Sequence, residues 1–201
     1  MLLRSLPTLV GRLPAPPPSV DPYLDAAARC FARHGIGRTS VQDVARELKV
    51  DRTTVYRQVG NIGSIVRLLA GRELHRMLAA LPKRLTGLQG PAAVIDLLAA
   101  SVDFAAEHPV LRKVLADEPE LIGPFIVSDL PMLVDLVAAA ATPILRAAME
   151  AGELAPRDPE RLAQMLVRIC MPLVLAPTAD DASAVLSELL LPALTPSMPD
   201  Q

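Results

Sequence analysis

Apolar residues recur along this chain at three- and four-residue intervals, and no stretch alternates with the period of two that a half-buried strand requires. The pattern predicts helices only. A first helix opens at Asp21-Pro22, an N-cap residue followed by a proline whose missing N–H costs nothing at the first helical position. Leu24, Ala27, Ala28 and Phe31 form its inner stripe, and Gly35 and Gly37 end it. A second helix starts at Thr39, where Thr39 and Gln42 have capping-box spacing, with Val41, Val44, Ala45 and Leu48 facing inward. Lys49-Val50 leaves room for a tight turn before Asp51 caps a third helix, Arg52 to about Val59. Gly60-Asn61 breaks the chain, and Asn61 caps a fourth helix that buries Ile62, Ile65, Leu69 and Met77 and ends near Leu81-Pro82.

Beyond Gly87 and Gly90-Pro91 the pattern predicts helices over about Ala92–Glu107, Pro109–Ala116, Leu130–Ala151, Pro159–Leu175 and Ala182–Leu194, with a broken stretch around Glu120–Ile126. Leu130, Leu133, Val137, Ala140, Ile144 and Ala148 are the expected inner face of the longest, which Pro143 should kink by removing a backbone hydrogen bond. Gly152 ends that helix, and Asp158-Pro159 starts the next with the device already seen at Asp21-Pro22. The last two helices are apolar on more than one side, as expected of helices covered both by their own subunit and by a partner. The fold class is therefore all-α. Three short helices and a connector stand before a larger helical body, which gives an arm over 1–20, a head with its connector over 21–85 and a body over 86–201.

Composition supports this architecture. Hydrophobic residues make up 51% and aromatic ones only 2%, a balance suited to helices packed through Ala and Leu. Charge adds an asymmetry that the net value of −2 conceals: residues 21–85 carry +6 and residues 86–201 carry −10. A basic head on an acidic body fits a polyanion at one end only.

The opening MLLRSLPTLVGRLPAPPP is interrupted by Arg4, Pro7 and Arg12 and has no signal-cleavage pattern; it reads as a disordered, slightly basic arm. The most apolar stretch, Met132 to Leu145, contains Asp135 and Pro143 and falls short of the ~20 residues of a membrane span, so no membrane partner is expected. Cys30 and Cys170 have no metal-ligand or disulfide spacing, which fits a reducing, cytoplasmic setting.

The informative chemistry lies on the third helix. A steep, tightly joined helix pair projects one face of its second member outward, and here that face holds Arg52, Thr53, Tyr56 and Arg57. Guanidinium groups suit guanine edges and phosphates, hydroxyls suit phosphates, and the threonine methyl suits thymine. This is a helix-turn-helix with a DNA-reading face. His34, His75 and His108 are scattered, carboxylate pairs such as Asp117-Glu118 lie at helix ends, and no GxGxxG, GKS/T, GxSxG or HExxH sequence occurs. No catalytic residue, metal ligand or cofactor is expected, and the chain does not read as an enzyme.

The segment TSVQDVARELKVDRTTVYRQVGNIGSIVRLLA, residues 39–70, with the preceding DPYLDAAARCFARHGIGRTS, resembles the TetR family of transcriptional regulators. The resemblance covers about a third of the chain. It implies phosphate or base contacts from Ser40 and Gln42 and from Arg52, Thr53, Thr54, Tyr56 and Arg57. It also implies a homodimer built from the last two helices, reading an inverted-repeat operator in double-stranded DNA, with repression as the commoner outcome. A small, apolar effector is implied between Ala92 and Ala151, with Phe104, Phe125, Met132 and Met149 as pocket candidates. Three positions depart from the family pattern: Lys49 in place of a turn glycine, Val59 in place of Phe, and Ile62 in place of a phosphate-gripping lysine. The last leaves open an alternative, a small-molecule-binding helical protein with weak or lost operator binding.

Overall fold

The computed structural model describes residue 11 and residues 15–84, 89–176 and 180–196. Among them are ten α-helices: α1 (Asp21–His34), α2 (Val41–Leu48), α3 (Arg52–Val59), α4 (Ile62–Arg84), α5 (Gly90–Glu107), α6 (Pro109–Asp117), α7 (Ile122–Ser128), α8 (Leu130–Glu150), α9 (Pro159–Leu175) and α10 (Ala182–Leu194). Short 3₁₀ turns cover Pro18–Val20 and Pro119–Leu121, and no strand occurs among the described residues. The architecture is all-α, with an N-terminal helix-turn-helix and a larger helical C-terminal part. The chain divides into two compact units. One joins Pro14–Arg76 to Glu107–Val127; the other joins residues 77–106 to the described residues from Ser128 onward.

The first unit is closed around Leu24, Phe31, Val44, Val55 and Ile65, all fully buried. Most of the expected helix bounds hold, but the caps differ from the sequence expectation. Asp21 does not cap α1: the helix follows directly from the Pro18–Val20 turn, and no side chain caps it. The Asp21 carboxylate turns instead to Arg72, at 3.3 Å, and Arg72 also meets Asp25 at 2.8 Å and Glu73 at 2.9 Å. Arg72 is only 6% exposed, and a guanidinium withdrawn that far from water needs anionic partners. Val20 is buried in the same core, so the end of the expected arm is ordered; residues 1–10 and 12–14 lie outside the described residues.

The start of α2 also shifts by one residue. Ser40, not Thr39, is the N-cap, and its capping box closes on Asp43 rather than Gln42. Thr39 is buried, and its hydroxyl donates to the Gly35 carbonyl at 2.6 Å, which turns the side chain back toward the preceding loop and away from the helix start. Between α2 and α3 the backbone turns at Lys49, whose φ of 57° and ψ of 42° are left-handed. A side chain there carries strain that glycine lacks, about 1 kcal/mol, partly offset by glycine's greater freedom when unfolded. Lys49→Gly is expected to raise the melting temperature by ~2 °C, measured by circular dichroism; an unchanged or lower midpoint would count against left-handed strain at this turn.

The second unit packs α5, α8, α9 and α10 around Val94, Ile95, Leu145, Leu166, Leu186 and Leu194. Asp158 caps α9 as expected, its carboxylate accepting from the N–H groups of Glu160 and Arg161 at 3.0 Å each. The helix α8 runs unbroken through Pro143, and its fully buried positions are Val134, Ala138, Ala140, Thr142, Leu145 and Ala148. Ala140 and Ala148 are buried as expected, whereas Leu130, Leu133, Val137 and Ile144, also expected inside, are half-buried. On a helix apolar nearly all round, period alone does not choose the inner stripe; packing against α9 does. At 21 residues and a mean hydropathy of 1.6, α8 is also long and apolar enough to cross a membrane, contrary to the sequence estimate, because it continues past Pro143 to Glu150. Its six buried positions make it a helix of the second unit's core.

Candidate nucleic-acid interface

The reading face is set by how α3 is held. Val55 and Val59 point into the core of the first unit, which at 3.6 residues per turn leaves Arg52, Thr53, Tyr56 and Arg57 exposed and Thr54 half-buried. Asp51 stands at the N-cap position, but its carboxylate makes no cap; only its carbonyl receives Thr54 and Val55. Arg52 and Tyr56, one turn apart, support each other. The Arg52 Nη2 donates to the Tyr56 hydroxyl at 3.2 Å, and the guanidinium lies 5.1 Å from the ring centroid. The pair holds both side chains against the helix, so less freedom is lost when they meet a ligand.

An open groove of about 550 Å³ runs beside this pair. It is lined by Ser40, Val41, Arg52, Tyr56, Asn61, Ile62, Gly63 and Arg67. Asn61 caps α4 as expected, its side-chain oxygen accepting from the Ser64 N–H at 2.9 Å. The groove thus collects two guanidiniums, two hydroxyls and the N-terminal ends of two helices, α2 and α4, all favourable to a phosphodiester.

Arg67 was not singled out by sequence reasoning. It is exposed, and among the described residues neither it nor Arg57 has an acidic partner. The signal was present in principle: a basic residue one turn and a half past the capped start of the fourth helix lies near the flank left without lysine at Ile62.

One feature tempers the basic face. The Ser40 hydroxyl is already engaged, donating to the Asp43 carboxylate at 2.6 Å and accepting from the Asp43 N–H at 3.3 Å. The Ser40 hydrogen bonds, with Arg46 beside it, hold the Asp43 carboxyl below its ordinary range. A phosphate contact from that hydroxyl has to displace a carboxylate. Gln42, by contrast, is exposed beside it. Away from this face, Glu47 bridges Arg29 at 2.8 Å and Arg33 at 3.6 Å, tying α2 to α1.

The effector candidates fall in different units. Phe125 lies in the first unit and Phe104, Met132 and Met149 in the second. Met132 is exposed, whereas Met149 packs against the core. A groove of about 490 Å³ does open beside Pro143, but its lining is Asp135, Ala138, Ala139, Thr142, Pro143, Arg146, Glu160 and Gln164, more polar than expected and without any of the four. Among the described residues no three His, Cys, Asp or Glu side chains gather as metal ligands. Cys30 and Cys170 are free thiols, and burial pushes Cys170 up to about 11.

Residues 24–66 match the family model of bacterial regulatory proteins, tetR family. An uncharacterised HTH-type transcriptional regulator of Mycobacterium tuberculosis is 24% identical over 184 residues, spanning 89% of this chain and 87% of its own. The crystal structure of the TetR family repressor AlkX from Dietzia sp. strain DQ12-45-1b, implicated in biodegradation of n-alkanes, superposes with a TM-score of 0.63 at 17% identity, over 86% of this chain and 92% of its own. The R. erythropolis transcriptional repressor QsdR superposes with a TM-score of 0.60 at 22% identity, over 92% of this chain and 100% of its own. At those identities the two structures speak to the fold, and the matched head speaks to the activity. Residues 24–66 thus form a head of the type found in bacterial regulatory proteins of the tetR family, and the chain is similar over most of its length to an HTH-type transcriptional regulator.

Proposed function

We propose that the protein is a ligand-responsive repressor that acts in the cytoplasm and reads an inverted-repeat operator as a homodimer. The observation that carries the DNA contacts is the exposed Arg52–Tyr56 pair beside a groove lined by Arg67, with Arg57 free on the same helix. In this reading Arg52, Tyr56 and Arg67 grip phosphates, while Thr53, Thr54, Arg57 and Gln42 reach base edges or the adjoining backbone. Ser40 serves chiefly to fix the start of α2. Ile62, the departure that favoured lost operator binding, lines the same groove as Arg67, whose guanidinium stands in for the absent lysine.

The dimer is assigned to α9 and α10, where Met165, Leu189 and Leu191 are 55, 57 and 45% exposed, a set of large apolar side chains that a second copy would cover. Two-fold symmetry would set the two α3 helices about 34–36 Å apart, on successive turns of one DNA face. The effector is assigned as a small apolar molecule in the second unit, where Leu98, Ile144 and Met149 lie half-buried against the aliphatic core. It acts through unequal affinity for the DNA-competent and DNA-incompetent states.

Titration onto the upstream DNA of its own gene at several salt concentrations tests the reading. Sequence-selective binding should weaken steeply with salt. Tyr56→Ala should weaken it by about tenfold, a loss of ~1.4 kcal/mol. Arg67→Ala should weaken all sequences alike and lower the salt slope by ~1, the signature of one lost phosphate contact. Binding no tighter than to random DNA would overturn the regulator reading.

A further inference from the structure

The turn that leads into the helix-turn-helix is held by a residue distant in sequence. Glu118 follows the last residue of α6 and is 3% exposed. Its Oε2 accepts from the Ile36 N–H at 2.6 Å, and its Oε1 accepts from the Gly37 N–H at 2.9 Å. Both carboxylate oxygens are therefore committed to the loop between α1 and α2. Among the described residues no basic side chain pairs with Glu118, so these N–H bonds stand in for the water it has lost.

The fit is close. A Cβ on Gly35, whose φ is +90°, would lie 2.6 Å from the Glu118 carboxyl carbon; one on Gly37 would lie 3.0 Å from Oε1. The two glycines that the sequence marks only as a helix stop form the receptacle for this carboxylate. Beyond them the loop is closed by the Thr39 hydroxyl on the Gly35 carbonyl at 2.6 Å and by the Thr39 N–H on the Ile36 carbonyl at 3.2 Å. The next residue is Ser40, which caps α2 and lines the groove beside Arg52 and Tyr56.

We infer that Glu118 is a positioning residue for DNA binding. Resting on the DNA-binding reading above, it clamps the entry of the helix-turn-helix and fixes where α2, and the α3 helix packed on it, present their DNA-facing groups. The segment 107–127 is thereby a working part of the head. The clamp needs two acceptors. Glutamine has the same shape but would point an amide donor at one of the two N–H groups, so Glu118→Gln breaks the clamp with the least loss of packing.

The test compares Glu118→Gln, Gly37→Ala and Val110→Ala with the unaltered full-length protein. Val110 packs in the same core from α6 but makes no clamp, so its truncation controls for stability alone. Operator affinity is read by fluorescence anisotropy at 15 °C, with helical content by circular dichroism and amide exchange at Ile36 and Gly37 by NMR. Glu118→Gln should bind the operator at least tenfold more weakly with its helical content kept, and its two amides should exchange at least tenfold faster. Gly37→Ala, which crowds Oε1, should shift both in the same direction by less, and Val110→Ala should stay within about twofold in affinity. Equal affinity of Glu118→Gln and the unaltered protein, or an equal loss in Val110→Ala, would overturn the clamp. Absence of operator binding by the unaltered protein would instead overturn the DNA-binding reading itself.

Discussion

Phe31→Ala is expected to collapse the DNA-reading head and abolish operator binding at 37 °C. Phe31 is fully buried and belongs to the cluster that joins α1, α2, α3 and α4. Only five aromatic residues occur in the chain, and Phe31 is the one fully buried within this cluster, with Tyr23 partly buried at its edge. Truncating a buried phenylalanine costs about 3–5 kcal/mol in transfer and cavity terms. Whole proteins are stable by only about 5–15 kcal/mol, and a small head draws on a fraction of that. The melting temperature should fall by ~10 °C, followed by calorimetry and circular dichroism. Phe31→Leu, which keeps most of the volume, should cost less than about 1.5 kcal/mol and preserve binding. A drop of less than about 3 °C for Phe31→Ala would show that the head does not depend on this side chain.

Leu189→Arg is expected to yield a monomer and to weaken operator binding by a hundredfold or more. Leu189 projects from α10 more than half exposed, with Leu191 on the same helix and Met165 on α9 similarly uncovered. If a second copy covers them, an arginine there is a charge taken out of water without a partner, which the interface cannot accommodate. Loss of the dimer also loses the gain of binding two half-sites at once, about 10²–10⁴ for linked modules. The single chain should remain folded, because the substituted side chain is outside the core around Leu186 and Leu194. Sedimentation velocity at micromolar concentration checks the mass, and anisotropy checks the affinity. A dimer that survives Leu189→Arg, with binding intact, would move the interface elsewhere.

The candidate site was readable to different depths. Arg52, Thr53, Tyr56 and Arg57 could be placed on one exposed face because α3 has two strictly inward residues, Val55 and Val59, and a short helix leaves its other positions little choice. Ser40 and Gln42 come from the family resemblance, which does not carry their local chemistry. The competition between Thr39, Ser40 and Asp43 for the free N–H groups at the start of α2 is decided by which hydroxyl is buried against Gly35. Arg67 was missed because its part in the groove depends on where α4 starts in space. The effector candidates fared least well, since bulk and apolar character say nothing about which helices enclose a space.

By itself the amino-acid order determined the all-α class, the bounds of α3, α9 and α10, the caps at Asn61 and Asp158 and the sign of charge on the head. Each of these rests on interactions within a few residues, or on a sum over many, and both survive without coordinates. Only tertiary packing decided that Asp21 answers Arg72 instead of capping, that Val134, Ala138 and Leu145 of α8 are buried deeper than their neighbours Leu133, Val137 and Ile144, and that α6 with Glu118 belongs to the head. Those outcomes join residues about 50 to 80 positions apart, or select one of several equally apolar faces. The exposed face of Arg52 to Arg57 can therefore be recognised from a short local pattern, while the clamp proposed to hold it comes from contacts that no local pattern encodes.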